Sequence, residues 1–161
     1  MVIIQTYKLL SEVIMSDYKN RQSAEILCSV YKNAEMAYES SGEVLRYCKN
    51  RRLASEISKE RERYRNVAAE AHNEIRRRGG NPKQYNAFAK AMATMGIRSR
   101  MMADRSSKSV ASLMIRGTTM GIIDMQHAVN SSGSAEPDIR NGAQDLLKRE
   151  QSFCEHLKRY L

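Results

Sequence analysis

Four side chains on three predicted helices have the chemistry of metal ligands: Glu60, Asp124, His127 and Glu150. The three acids fall on apolar stripes, which is unusual because an ionised carboxylate is costly to bury unless it is paired. Asp124 and His127 are three residues apart, so both side chains would lie on one helical face and could reach one ion. Carboxylate and imidazole groups suit iron or another divalent metal. One hypothesis is therefore a reduced or mononuclear metal site formed by these four residues.

A complete paired-iron centre requires more than these four residues. Such a centre in a helical bundle uses four carboxylates and two histidines, with Glu-x-x-His on each of two helices. The sequence contains no Glu-x-x-His, since His72 follows Glu70 by two residues and His156 follows Glu155 directly. The first predicted bundle helix contributes no acid to its apolar seam. The sequence therefore does not supply the full ligand set of a paired-iron centre.

The interpretation that we favour is structural, with the three acids paired to arginine or tyrosine or placed at the bundle ends. The candidate partners are Tyr38, Tyr64, Arg61 and Arg149. The sequence also lacks a phosphate-binding glycine loop, a nucleophile elbow and zinc-type spacing of Cys and His. We therefore expect a protein that is not an enzyme and has no cofactor.

Basic residues are concentrated in the middle of the chain, whose formal net charge is +9. Residues 46–116 hold 18 Lys and Arg but only 6 Asp and Glu. Such a field attracts phosphate-bearing partners, although most charge runs only keep a surface solvated. The alternative function is therefore non-specific, salt-dependent nucleic-acid binding through the second and third helices. The phosphate contacts would be Arg51, Arg52, Arg76, Arg77, Arg78, Arg98, Arg100 and Arg105.

The apolar periodicity predicts five helices and no strands, which is an all-α fold. The helices span residues 21–49, 51–78, 84–104, about 107–129 and 136 onward. The second helix should end at Gly79-Gly80-Asn81-Pro82, where glycine permits a left-handed C-cap and proline prevents continuation. Short connections favour antiparallel neighbours.

The third and fourth helices carry distinctive apolar stripes. One side of the third helix presents Tyr85, Phe88, Met92, Met95 and Met102. We expect these and the other methionines of this region to fill gaps in the core rather than to bind copper. The fourth helix has a stripe through Gly117, Gly121 and Asp124, where the glycines would let another backbone come close.

Residues 1–20 are predicted to form an N-terminal extension or a short extra helix before a bundle of residues 21–161. Ile3, Tyr7, Leu10 and Ile14 would share one face of that helix. No apolar run approaches the ~20 residues needed to span a bilayer. The three cysteines lack the spacing of a disulfide framework. We therefore expect a cytoplasmic protein with reduced thiols and no membrane contact.

The second predicted helix contains Glu60-Arg61-Glu62-Arg63-Tyr64 and Ala69-Glu70-Ala71-His72-Asn73-Glu74-Ile75 before its glycine stop. With these motifs, residues 53–82 resemble the second helix of a bacterial ferritin-like four-helix-bundle family of unknown function, which includes stress-related proteins. Residues 87–130, with Met114-Ile115-Arg116-Gly117, resemble the family's second helical pair. The predicted helix from residue 136 onward resembles the last helix of the family.

This resemblance implies a ferritin-like antiparallel four-helix bundle with a crossover, in a family without an established reaction. It also implies an accessory protein of stress or sporulation that acts through protein–protein contacts or as a homo-oligomer. Family members have acidic residues after the Arg-Gly of the later helix, whereas Thr118 and Thr119 stand there in this sequence. No carboxylate role therefore transfers to these two positions, and the metal ligands are degenerate.

Overall fold

The computed structural model describes the backbone of residues 2–161, and the side chains of residue 5 and residues 8–161. The α-helices are α1 (Val2–Leu45), α2 (Arg51–Arg77), α3 (Ala87–Ala103), α4 (Ser107–Ser131) and α5 (Pro137–Leu157), and a 3-10 helix (Lys158–Tyr160) follows α5. The described part of the chain contains no strand. The predicted all-α fold class is therefore confirmed.

The first helix is longer than the sequence predicts. We expected residues 1–20 to form an extension or a short separate helix, but α1 continues through residue 20 without a break. All described side chains from residue 8 to residue 21 are exposed, and Gln22 is the first buried residue of the described part. What changes at residue 22 is the packing of the helix, while its secondary structure stays the same.

Polar side chains and one glycine fix the helix ends. The side-chain oxygens of Asn50, Asn86 and Ser106 accept hydrogen bonds from backbone amides in the first turns of α2, α3 and α4. Each such bond satisfies an amide that has no partner within its helix. The predicted stop of α2 is present, because Gly79 has a φ of 75°. The amide of Gly80 donates to the carbonyl five residues earlier at 3.0 Å, as in a Schellman cap.

Two contacts between loops define the ends of the bundle and the directions of its helices. Nδ2 of Asn50 lies 3.2 Å from Oγ of Ser107, so α2 and α4 begin at the same end, called here the Asn50 end. Arg78 pairs with Glu136 at 2.8 Å, so α2 ends where α5 begins, at the Glu136 end. Because α2 and α4 run in the same direction, the connection between them must return along the whole bundle.

The third helix forms most of this return connection and runs beside α1. Lys90 pairs with Glu39 at 2.9 Å, and Arg98 pairs with Glu43 at 2.9 Å, so the two helices are parallel. The buried side chains of α3 are Ile97 and Met101. The predicted core stripe of this helix is wrong in direction, because Phe88, Met92, Met95 and Met102 are 53–74% exposed. Periodicity identified an apolar face, but Ile97 and Met101 on the opposite face pack into the core with Val44 of α1, and two ion pairs join the same two helices.

The dry core is divided along the bundle axis. At the Asn50 end it is built from Val44, Leu53, Ile57, Ile97, Met101, Val110, Ala111, Met114, Phe153 and Leu157. Towards the Glu136 end, a cluster on α1, α4 and α5 includes Ile26, Met125 and Leu147, and a second one on α1 and α2 includes Tyr31 and Ile75. Polar side chains occupy the middle of the bundle between them. Within the described residues, no helix has both the length and the apolarity needed to cross a membrane.

Candidate functional site

A layer of polar side chains lies in the middle of the bundle, between the dry clusters. We call it the central polar layer; it consists of Asn33 from α1, Glu60 and Tyr64 from α2, Thr118 from α4 and Glu150 from α5. Tyr64 and Glu150 are each 1% exposed, and Glu60 is 4% exposed. Each of the four long helices therefore contributes a polar group to one buried level of the bundle.

Asn33 connects α1 to the carboxyl group on α5. Its Nδ2 donates to Oε1 of Glu150 at 2.8 Å and lies 3.8 Å from Sδ of Met125. Space for the carboxamide is provided by Gly121 of α4, where an added methyl group would overlap Oδ1 of Asn33 and lie 2.7 Å from its Cγ. The expectation that another backbone comes close at Gly117 and Gly121 is wrong, because a side chain makes the approach at Gly121 and nothing lies within 4 Å of an added methyl group at Gly117.

The two buried acids have different surroundings. Oε2 of Glu60 accepts a hydrogen bond from Nη1 of Arg63 at 2.7 Å, and that arginine reaches solvent. Glu150 has no basic partner among the described ion pairs, and its Oε2 has no hydrogen-bond partner. Burial raises the pKa of Glu150 to about 7, helped by the charge of Glu60 and opposed by the hydrogen bond from Asn33. Near neutral pH, Glu150 therefore exists in both protonation states.

The Tyr64 side chain also lacks a partner for its polar atom. Its hydroxyl is buried without a hydrogen bond to another described residue. Burial raises the pKa of Tyr64 strongly, and the negative charges of Glu150 and Glu60 add to this effect. The hydroxyl therefore keeps its proton and remains a hydrogen-bond donor.

The predicted metal ligands do not come together. Glu60 and Glu150 are buried in the central polar layer, whereas Asp124 and His127 are exposed on α4. Among the described residues, no three Cys, His, Asp or Glu side chains are placed to hold a metal ion. After Gly121, the buried stripe of α4 continues at Met125, four residues on, and not at Asp124, three residues on as predicted. Both spacings fit one helical face, so the sequence did not distinguish them.

Of the predicted partners of the acids, Tyr64 lies beside Glu60 and Glu150, whereas Arg61 and Arg149 form no ion pair with them among the described residues. Arg61 stacks on the ring of Tyr38, with its guanidinium carbon 3.9 Å from the ring centroid, and does not pair with Glu60. Asn33 was not among the residues predicted from the sequence. A signal was present, since Asn33 follows the apolar residue Val30 by three positions and precedes Ala37 by four, which is helical spacing.

A cavity of about 460 Å³ lies between α1, α3 and α4 and reaches the central polar layer. Its apolar wall includes Met36, Val44, Ile97, Leu113 and Met114. The buried residues Tyr64 and Thr118 line it on the inside, and the exposed residues Arg116, Met120 and Asp124 line it where it meets solvent. Gly117 also borders the cavity, and an added methyl group there would meet no atom within 4 Å.

The eight arginines predicted to contact nucleic acid are divided between the two ends of the bundle. Arg76, Arg77 and Arg78 lie at the end of α2, whereas the other five lie at the Asn50 end. Four of the eight pair with acids: Arg52 with Glu56, Arg77 with Glu74, Arg78 with Glu136 and Arg98 with Glu43. Nucleic-acid binding by this set stays a prediction, and the eight residues do not share one face.

The first turns of α1 form an exposed apolar surface. We call residues 8–21 the arm. Leu9, Leu10, Val13, Ile14, Met15 and Tyr18 are all large apolar residues of the arm, and each is 46–67% exposed. Exposed apolar side chains are common singly on proteins, but a contiguous group is typical of an interaction surface.

Comparisons of the chain with family models, with curated proteins and with solved structures found no match.

Proposed function

We propose that this protein is a non-catalytic, ferritin-like helical bundle that assembles with copies of itself through the arm. The observation that carries this proposal is the exposure of six large apolar side chains over three turns of one helix. Leaving such side chains in water is unfavourable, and burial of each would contribute about 1.5–3 kcal/mol.

The apolar face of the arm is turned away from the bundle of its own chain. Three helical turns contain about eleven residues. Leu10 and Ile14 therefore face the same way as Arg21 and Glu25, which are exposed, whereas Glu12 faces the same way as the buried Ser23. Leu10 and Ile14 therefore lie on the side of α1 opposite to the bundle, whereas Met15 lies eleven residues before the buried Ile26 and shares its direction. A second copy would cover the side that carries Leu10 and Ile14.

The area of the arm suits a second copy as that molecule. Six half-exposed apolar side chains present roughly 100 Å² each, or about 600 Å² per copy. Two copies would bury about 1,200 Å², which is at the lower limit of a stable protein interface. The charged residues on the side of Leu10 and Ile14 are Asp17 and Arg21, which pair with each other at 3.1 Å, so that two identical arms do not present a single charge to each other.

The ferritin-like part of the proposal is supported by the topology. Four long helices carry the core, α2 and α4 run in the same direction, and one long connection returns between them. Ferritin-like bundles have one such crossover, with polar groups from facing helices in the bundle centre. In this chain the central polar layer holds Asn33 and Thr118 at two of those positions, so the proposal does not include an iron reaction.

The test is sedimentation velocity on the full chain at 1–100 µM. We expect a dimer or higher assembly for the unchanged protein and a monomer for the double variant Leu10→Lys, Ile14→Lys. The matched control, Glu12→Lys with Ser16→Lys, introduces the same two side chains on the other side of the arm and should still assemble. A monomer at every concentration for the unchanged chain, or an assembly that survives the Leu10 and Ile14 changes, would contradict the proposal.

A further inference from the structure

The cavity beside the central polar layer has the dimensions of a small-molecule site. Its volume of about 460 Å³ lies within the usual range of ligand pockets, and most of its wall is apolar. At about 30 Å³ per water-sized group, it has room for about fifteen such groups. Small apolar molecules of ten to twenty non-hydrogen atoms would therefore fit.

The inner end of the cavity is lined by Tyr64, whose buried hydroxyl makes no hydrogen bond of good geometry, although the Glu150 carboxyl group and the Thr118 hydroxyl lie close to it. Tyr64 is 1% exposed and lines the cavity, and its hydroxyl has no hydrogen-bond partner among the described residues. Leaving a buried hydroxyl without a partner costs about 1–3 kcal/mol, so such groups are usually satisfied by water or a ligand. This second observation is independent of the volume and points to an occupant with a hydrogen-bond acceptor.

The surrounding charges select against an anionic occupant. Glu60 and Glu150 lie in the same polar layer as Tyr64, and both raise the pKa of the tyrosine through their charge. A carboxylate or phosphate at this end would be repelled by them. Asn33, Ser41 and Thr118, which are neutral, are polar residues that also line the cavity.

We propose that the cavity between α1, α3 and α4 binds an uncharged, mostly apolar small molecule with a carbonyl oxygen that accepts a hydrogen bond from the Tyr64 hydroxyl. Its apolar body packs against Met36, Ile97 and Met114, and its polar end reaches the central polar layer. The exposed edge at Arg116 and Asp124 is the entrance. This site is separate from the arm and does not depend on self-association.

Two probes that differ in one group test the assignment. 2-Acetylnaphthalene is a neutral ketone of thirteen non-hydrogen atoms, a size that suits the cavity, and 2-ethylnaphthalene has nearly the same shape without the oxygen. Titration of each into the full chain, followed by calorimetry or amide chemical shifts, gives the two affinities. We expect the ketone to bind about tenfold more tightly than the hydrocarbon, since one satisfied buried donor contributes about that factor.

Three variants locate the binding. Tyr64→Phe removes only the hydroxyl and should lower ketone affinity about tenfold while leaving hydrocarbon affinity unchanged. Gly117→Leu fills the cavity without meeting backbone, because no atom lies within 4 Å of the new Cβ, and should abolish binding of both probes. Gly142→Leu, at an exposed position of α5 with the same free space, is the matched control and should change neither affinity.

Thermal unfolding of each variant verifies that it folds. The proposal is overturned if neither probe binds the unchanged chain up to its solubility limit, if both bind equally well, or if Gly117→Leu leaves binding intact. Equal ketone affinity in the unchanged protein and Tyr64→Phe would also overturn it, because the hydroxyl would then not be the donor.

Discussion

Residues 8–21 and residues 22–45 belong to one α-helix, yet they differ in what covers them. The second part packs against α2, α3, α4 and α5, and Ile26, Ala34 and Val44 are at most 1% exposed. The first part has no buried residue and presents Ile14 and its apolar neighbours to solvent. Apolar residues recur at helical spacing in both parts, so the spacing indicates a helix with an apolar side but does not reveal which molecule covers that side.

The largest expected difference between the two parts is in the free energy of unfolding that each loses when one isoleucine is replaced by alanine. Ile26→Ala should destabilise the folded chain by about 2–5 kcal/mol, because it leaves a cavity in the core. Ile14→Ala should change monomer stability by less than about 0.5 kcal/mol, because the side chain is exposed. Urea unfolding at two protein concentrations measures both effects.

Protein concentration separates core packing from association in this pair. The stability lost in Ile26→Ala should be nearly independent of protein concentration. Ile14→Ala should lose stability only at concentrations where the arm is paired, because binding to a second copy stabilises the folded state by mass action. A large, concentration-independent loss for Ile14→Ala would mean that its own chain covers the arm.

The sequence predicted the helices better than their contacts. The stop at Gly79 depends on local chemistry and is present as expected. The burial of Glu60 and Glu150 also follows from their place on apolar stripes. Asp124 was placed on the wrong side of its stripe, because spacings of three and four residues fit the same turn equally well.

Features that depend on tertiary contacts were not predictable. The outward direction of Met92 and Met95 follows from the burial of Ile97 and Met101 on the opposite face of α3. Asn33 can donate its hydrogen bond only because α5 places Glu150 beside it and Gly121 leaves room for its carboxamide. Such arrangements need the relative positions of helices, which a single sequence does not specify.

The next largest effect is on the pH dependence of stability. It comes from Glu150 of α5, whose carboxyl group accepts a hydrogen bond from Asn33 in the packed part of α1. The pKa of Glu150 is about 7 in the folded state, against an ordinary value of 4.5. The folded state thus retains a proton that the unfolded state has lost, so stability should fall as pH rises from about 4.5 to about 7 and then level off. The total contribution is about 3 kcal/mol.

Glu150→Gln should remove this pH dependence and be more stable than the unchanged chain at pH 8. Urea unfolding at intervals from pH 4 to pH 8 measures the slope for each protein. Glu155→Gln, on the exposed side of the same helix, is the control and should keep the slope of the unchanged protein. The account of Glu150 fails if its Gln variant retains that slope.

A smaller effect is expected where Asn33 meets α4. Gly121→Ala would push a methyl group into the carboxamide and should cost about 1–3 kcal/mol. Gly117→Ala, one turn earlier on the same helix, has free space and should be neutral or stabilising by up to about 1 kcal/mol, since glycine weakens a helix. Thermal unfolding of the two variants distinguishes them, and equal melting temperatures would argue against the tight contact at Gly121.

Hydrogen–deuterium exchange of α1, followed by mass spectrometry at several protein concentrations, tests the difference between its two parts most directly. We predict that amides of residues 22–45 are protected at every concentration, whereas amides of residues 8–21 become protected only as concentration rises and copies associate. Rapid exchange throughout the arm at all concentrations, with no dependence on association, would contradict the proposal that a second copy covers it.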